Sequence, residues 1–274
     1  MSVNLAVKYK PNLDQAFTHD SYTEKFVNRK YDFDGVATVN AYTVTTVAPT
    51  NYNRTETGDR FGGNNELQDV ITPYTLTNDK AFKIVIDRGN FEQGALAKKA
   101  GEVLKAEMNE QIIPIIDKDR LATAKTAADA VTQAVTATDD AYADVLAMEA
   151  FLDEAKAPVE GRAMFVTPAF YNALKTKIVT NMHVDKYASE LIGRGFVGEL
   201  DGVPVVKVPT SYFPNKTKAL LWHRDAMLGA KQIMKTRIIT DSELVDGSVL
   251  VGRFIYGSFA LNGKKKGFAS VVEA

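Results

Sequence analysis

Six residues, Gly193-Arg194-Gly195-Phe196-Val197-Gly198, reproduce the Gly-x-Gly-x-x-Gly spacing of a dinucleotide-binding turn. Glycines serve that turn because a side chain would hold the backbone away from the pyrophosphate, which rests on the N-terminus of the next helix. The flanks do not supply that setting. Residues 186–192, KYASELI, lack the pattern of a buried strand, and 199–208, ELDGVPVVKV, form a turn into a strand instead of a helix. A loop is expected there, with no cofactor. His19, His183 and His223 are far apart, and only His183 has a carboxylate two positions on, at Asp185, so no metal site is expected. No Gly-x-Ser-x-Gly elbow occurs, since Gly257-Ser258 runs into Phe259. The adjacent carboxylates Asp139 with Asp140 and Asp153 with Glu154 are explained by a helix start and a solvated face. Lys264 to Lys266 form a short basic turn. With no catalytic, cofactor-binding or metal-ligating residue, the chain reads as a non-enzyme.

Composition sharpens the exclusions. The chain has 274 residues and 45 % hydrophobic content, enough for a real core. Its 33 basic residues are offset by 34 acidic ones, so contact with nucleic acid is expected to be loose. Cysteine is absent, which removes disulfides, thiolate zinc sites and cysteine nucleophiles and fits folding in a reducing cytoplasm. No window approaches the roughly 20 apolar residues of a spanning helix, so no membrane contact is expected. The Asn-x-Thr sequons at Asn53 and Asn215 would matter only on a secretory route.

The elements that would position any surface come next. Residues 1–34 read as an extended polar arm, disordered or laid on a neighbouring surface, because it lacks the apolar area to offset its ordering entropy. Val36 to Val47 and the stretch from Leu67 through Tyr74, Leu76, Phe82, Ile84 and Ile86 have strand composition. Pro49 to Asn65 forms a polar, glycine-rich tip between them. One long two-stranded ribbon is predicted, with about a dozen residues per strand projecting some 40 Å. Such a ribbon is marginal alone in water, so it should lie on another copy of the chain. Asn90 with Gln93 then opens a long amphipathic helix carrying Leu96, Val103, Leu104, Met108, Ile112, Ile115 and Ile116, kinked or ended by Pro114. Ala122 to Thr138 reads as a linker or weak helix and the best internal boundary. Beyond it come a helix over 139–156, a buried strand over 164–166, and a helix opened by Thr167-Pro168. Asp201-Gly202 turns into the strand Val203 to Val208, another strand covers Ala219 to Trp222, and a closing meander turns at Asp246-Gly247 and Asn262-Gly263.

This order of parts resembles the major capsid proteins of tailed phages with the HK97-type fold. The likeness is carried by the Val36 to Ile86 ribbon, the Phe91 to Leu121 helix, Phe165-Val166-Thr167-Pro168 leading to Leu174, Leu200-Asp201-Gly202-Val203-Pro204-Val205-Val206, Val251-Gly252-Arg253 and Tyr256-Gly257. It implies an α+β fold divided into an N-terminal arm (1–34), an extended β-hairpin loop (35–88), a spine-helix peripheral domain (89–125 and 241–274) and an α/β axial domain (126–240). It further implies hexamers and pentamers closing into an icosahedral shell around DNA, assembled in the bacterial cytoplasm and ending in the virion. The partners implied are separate scaffold and portal proteins, with weak non-specific contact to packaged DNA through positions such as Lys264 to Lys266. The short arm implies a separate scaffold or an already processed form. Some family members cross-link a loop lysine to a neighbour. Here the tip offers Arg54 and Arg60 but no lysine, and Lys80 and Lys83 lie near the base, so no such chemistry is expected at the tip.

Two other readings compete. An encapsulin-like compartment would keep the fold but need an inner docking groove for cargo, and neighbouring genes would separate it from a virus. A nucleotide-dependent α/β enzyme rests on the glycine match alone and predicts cofactor binding by the purified protein.

Overall fold

The computed structural model describes residues 20–31, 33, 38–44, 46–55, 57, 58, 60, 61, 69–87, 105–181, 196–239 and 247–273. Residues 1–19 of the arm, the Asn90 and Gln93 cap, and Gly193 with Gly195 lie outside them, as do His19, His183 and Asp185.

Strands β1 (Thr38–Val44) and β2 (Asp69–Thr75) pair antiparallel as a separate two-stranded ribbon, from Thr38 opposite Thr75 to Val44 opposite Asp69. The ribbon is therefore shorter than predicted, about 23 Å at roughly 3.3 Å per residue. The rest of the predicted second strand leaves it. Strand β3 (Asn78–Asp87) joins β9 (Met227–Ile239) and β10 (Gly247–Ala260) in a three-stranded sheet of order β3-β10-β9. Phe82 and Ile84 thus belong to this sheet, and Lys80 and Lys83 stand on it and not on the ribbon.

The long helix is present, but it runs further than its sequence suggests. Backbone from residue 105 through 130 is helical, with a wide turn at Met108–Ile112 followed by α1 (Ile113–Ala130). Pro114 neither ends nor breaks it. The Ile113 amide reaches back five residues to the Met108 carbonyl, and this wider turn makes room for the proline ring and its missing donor. The alanine-rich stretch, read as a linker or weak helix, continues the helix as far as Ala130, burying Ala124, Ala127 and Ala128 beside Leu121. Small side chains let the helix lie close on the sheet beneath.

That sheet has six strands, β4 (Ala134–Thr136), β5 (Arg162–Val166), β6 (Phe196–Leu200), β7 (Val203–Lys207), β8 (Thr217–His223) and β11 (Phe268–Val272), in the order β4-β11-β8-β5-β7-β6. Both faces are covered, so β5 is buried at every position and shows no polar alternation. Phe165, Leu220, Trp222 and Phe268 face Leu121 and Ala124 of α1. Met164, Val166, Leu221 and Val271 face Val145, Met148 and Leu152 of α2 (Ala141–Glu154) and Phe170 and Leu174 of α3 (Pro168–Asn181).

Local chemistry explains several ends. Asp140 caps α2 by accepting the Tyr142 amide at 3.1 Å. Asp201 and Gly202, with φ of 49° and 79°, form the tight turn between β6 and β7, where Leu200 pairs with Val203. Asn262-Gly263 is not a hairpin turn. It opens a 3-10 turn, Asn262–Gly267, and β11 then pairs with β4 and β8 instead of β10. The chain changes sheets there because alternating apolar residues on β11 fill both faces of the larger one.

Candidate assembly surface

The described part of the arm is laid on the surface of its own chain. Asp117, on α1 and buried, accepts the Ser21 and Thr23 hydroxyls at 2.6 Å each and the Tyr22 amide at 3.0 Å. Arg120, one turn on, donates to Thr23 at 2.9 Å and lies 2.7 Å from Glu24. Glu24 also takes Lys231 of β9, at 2.5 Å, and Arg29. Burial alone would raise the Glu24 carboxyl, but Arg120 and Lys231 outweigh it and hold it at about 2. Trp222 donates its indole N–H to the Phe26 carbonyl at 2.8 Å and stacks on Phe165 with centroids 4.0 Å apart. Asn28 pairs with the start of β9, its amide donating to Met227 at 2.7 Å and its carbonyl accepting from Gly229 at 3.1 Å. A Cβ on Gly229 would stand 2.9 Å from Val27, so the close approach of arm and strand depends on that glycine.

Among the described residues, the ribbon is anchored at its base only. Ala41 and Tyr74 on its inner face, with Leu76 beyond it, pack on Leu228, Ala230 and Leu261. The Tyr74 hydroxyl accepts the Asn262 amide at 2.9 Å, and the Asn262 side-chain amide donates to Thr72 at 2.9 Å. On the outer face Tyr42 and Ile71 stand directly opposite each other, 65 % and 54 % exposed. Past them the tip closes on itself. The Asn53 amide donates to the Arg60 carbonyl at 3.0 Å, Thr50 donates to the Phe61 carbonyl at 2.9 Å, and the Tyr52 and Phe61 rings meet edge-on at 5.1 Å. Among the described residues, six of the nine exposed large hydrophobic side chains fall here: Tyr42, Val47, Tyr52, Phe61, Val70 and Ile71. Exposed apolar surface so concentrated marks an interaction surface. Composition alone makes the tip polar and hides the meeting of its two aromatic rings.

The residues weighed for chemistry do not converge. Phe196–Leu200, where the glycine fingerprint requires a helix, is a strand. His223 ends β8, its Nδ1 accepting the Asp225 amide at 3.1 Å and its Nε2 3.0 Å from the Glu160 carbonyl. Asp153 is ion-paired to Arg162 at 2.7 Å. Ser258 lies within β10, and no group of three or more metal-ligating side chains gathers among the described residues. No helix among them is long and apolar enough to cross a membrane.

A helix-spanned sheet, a long antiparallel strand pair and a projecting ribbon make this a mixed α and β fold of the kind seen in phage capsids. Similar solved structures are those of Mycobacterium phage Che8, at 17 % identity and TM-score 0.72 over 99 % of this chain and 98 % of that one, and of the capsid of the cyanophage P-SCSP1u, at 16 % identity and TM-score 0.73 over 98 % and 93 %. The mature capsid of bacteriophage PhiM1 is similar too, at 12 % identity and TM-score 0.71 over 99 % and 92 %. No family model matches the chain, and no curated protein does.

Proposed function

We propose that this chain is the major capsid protein of a tailed phage, a structural subunit and not an enzyme. Its copies form hexamers and pentamers that close into an icosahedral shell around DNA. The observation that carries the reading is the ribbon, whose outer apolar pair, Tyr42 and Ile71, is left 65 % and 54 % exposed by the described residues of its own chain. Likeness in fold to capsid structures along nearly the whole chain supports it. Within this reading residues 1–34 are an arm, 35–88 the extended loop, 89–125 with 241–274 a peripheral domain built on the long helix, and 126–240 the axial domain. Strand β11 then reaches out of the peripheral segment to complete the axial sheet. A separate scaffold and a portal are the expected protein partners, DNA touches the inner surface weakly, and assembly takes place in the host cytoplasm before release as a virion.

The test is expression of the chain alone and with its neighbouring genes, followed by electron microscopy. Ile71→Asp combined with Tyr42→Asp should leave a folded subunit with an unchanged melting curve and abolish shells, as should removal of residues 50–65. Normal shells from either variant, or a parent chain that stays monomeric under every condition, would defeat the proposal.

A further inference from the structure

A recess of about 550 Å³ opens where the 3-10 turn Asn262–Gly267, the end of α2 and the turn after β8 come together. Its lining is of two kinds. Exposed Lys156, Lys264, Lys265 and Lys266 stand around it, and Asp225 is the one carboxylate among the lining residues. Between them Val131, Ala157, Pro158 and the buried Ala226 supply apolar surface. His223 adds a carbon edge of its ring, since Nδ1 accepts the Asp225 amide and Nε2 lies 3.0 Å from the Glu160 carbonyl. We propose that this recess binds an acidic peptide, a segment of a partner protein that carries carboxylates beside small apolar side chains. The proposal rests on the recess itself and stands or falls apart from the capsid reading.

Charge and shape together select that occupant. Asp225 is already shared, 3.4 Å from Lys30 and 3.8 Å from Lys264, and among the described residues no carboxylate pairs with Lys156, Lys265 or Lys266. Unpaired cations around one recess repel one another, and a ligand that brings several carboxylates relieves the repulsion and fixes its own orientation. A helix end would ordinarily repel such a ligand through its bare carbonyls. Here they are occupied: Lys156, in the left-handed region at φ 57°, donates its amide to the Asp153 carbonyl at 2.8 Å, and the Ala157 amide takes the Leu152 carbonyl at 2.9 Å. Shape then separates a peptide from other anions. The recess is of small-ligand size, so it admits a few side chains but not the width of a nucleic-acid duplex. A single inorganic anion would leave Val131, Ala157, Pro158 and Ala226 wet, whereas the apolar side chains of a peptide cover them while its carboxylates meet the lysines.

The probe is a short fluorescent peptide of alternating glutamate and alanine, titrated into the full chain and followed by anisotropy, beside a twin with glutamine in place of every glutamate. The parent should bind the first peptide and not the twin, and bind it more weakly as salt rises. Lys265→Glu with Lys266→Glu, and separately Lys156→Glu, should weaken binding about tenfold or more and flatten its salt dependence. Ala157→Phe, which fills the recess without touching its charge, should weaken binding and leave the salt dependence as it was; Ala155→Leu fills the same wall should Ala157→Phe not fold. Lys175→Glu, on the exposed side of α3, should change nothing. Binding of the glutamine twin, unaltered binding by the charge or filling variants, or equal weakening by Lys175→Glu would overturn the assignment. So would displacement of the peptide by a DNA duplex or by inorganic phosphate at equal charge concentration, the mark of a general anion site. Self-association of the parent that Lys265→Glu with Lys266→Glu abolishes would overturn it too, by making a second copy the occupant. Microscopy reads the capsid question separately. Shells from a parent that binds no peptide sink the recess alone, whereas recess-dependent binding by a chain that never forms shells sinks the capsid reading alone.

Discussion

Replacing Glu149 by glutamine should stabilise the subunit at neutral and alkaline pH and do nothing in acid. Glu149 lies on α2, 8 % exposed, with its Oε1 unpartnered. Arg162 is close but committed, donating to Asp153 at 2.7 Å and to the Pro158 carbonyl at 3.0 Å, and also to the Ala157 carbonyl. Burial first, and the nearby Asp201 second, push the Glu149 carboxyl up to about 7 from an ordinary 4.5, with Arg162 only partly opposing them. Below 4.5 the acid is protonated in both folded and unfolded chains and costs nothing. Between 4.5 and about 7 the unfolded chain ionises while the folded one must hold its proton, so stability falls as pH rises; above 7 the loss is complete. At about 1.4 kcal/mol per tenfold change, the full loss is on the order of 3 kcal/mol. Glutamine keeps the shape and never ionises. In urea titrations of unassembled subunit, Glu149→Gln should match the parent near pH 4 and exceed it at pH 8 by roughly 3 kcal/mol. The same gain at both pH values, or a loss at pH 8, would refute the electrostatic reasoning.

Glu24 should behave with the opposite sign. Its carboxyl is held at about 2, so its contribution is present above 4.5 and disappears as pH falls toward 2, and Glu24→Gln should cost about 2 kcal/mol at pH 7 and nothing near pH 2, read by the same titrations. Asp117→Ala removes the acceptor of Ser21, Tyr22 and Thr23 and leaves Arg120 short of a buried partner. A destabilisation of about 3–5 kcal/mol is expected. Because Trp222 is the only tryptophan and bonds the arm directly, its emission should shift to the red in that variant, and an unchanged spectrum would show that the arm does not depend on Asp117. Gly252→Ala would put a methyl 2.2 Å from the Phe82 ring and should cost about 1–3 kcal/mol, partly recovered by adding Phe82→Leu.

Much of this fold was readable because strand and helix periods leave marks on short stretches, while the pairing of distant stretches leaves none. Val36 to Val47 read as a strand, and β1 lies within it. From Tyr74 to Ile86 the composition also reads as one strand, and nothing in it announces that the chain changes partner at Leu76-Thr77 to meet β10. Asn262-Gly263 misleads likewise, since a tight turn looks the same whether the strand after it returns to its neighbour or crosses to another sheet. Ala122 to Ala130 left linker and weak helix open because alanine carries little apolar weight, although a face of alanines is what a helix needs to lie close on a sheet. The arm looked unanchored because its anchors are polar. Ser21 and Thr23 meet Asp117 only after folding, and no periodicity encodes a hydrogen bond across some ninety positions. The lysines at 264–266 are visible in the sequence as a run, whereas Lys156 comes beside them only through packing.

The ribbon stands apart from the body in its energetics, and that separation is what makes an assembly role physically coherent. The body buries its own apolar surface: both faces of the six-stranded sheet are covered, and the arm segment seals Trp222. Among the described residues, the ribbon shares this through Val39, Ala41, Tyr74, Leu76 and the Asn262 bonds at its base. A two-stranded ribbon beyond such a base is marginal in water. Its outer pair, Tyr42 and Ile71, therefore adds little to the stability of a lone subunit, and removing it should scarcely move the melting curve. Covering the same pair with a second copy would withdraw both side chains from water at about 25 cal/mol per Å² of apolar surface, a gain repeated at every interface of a closed shell. A substitution silent in the monomer and disabling in the assembly is the signature of a surface whose energy is held in reserve for a partner, whereas equal damage to both would place the ribbon inside the subunit's own cooperative fold.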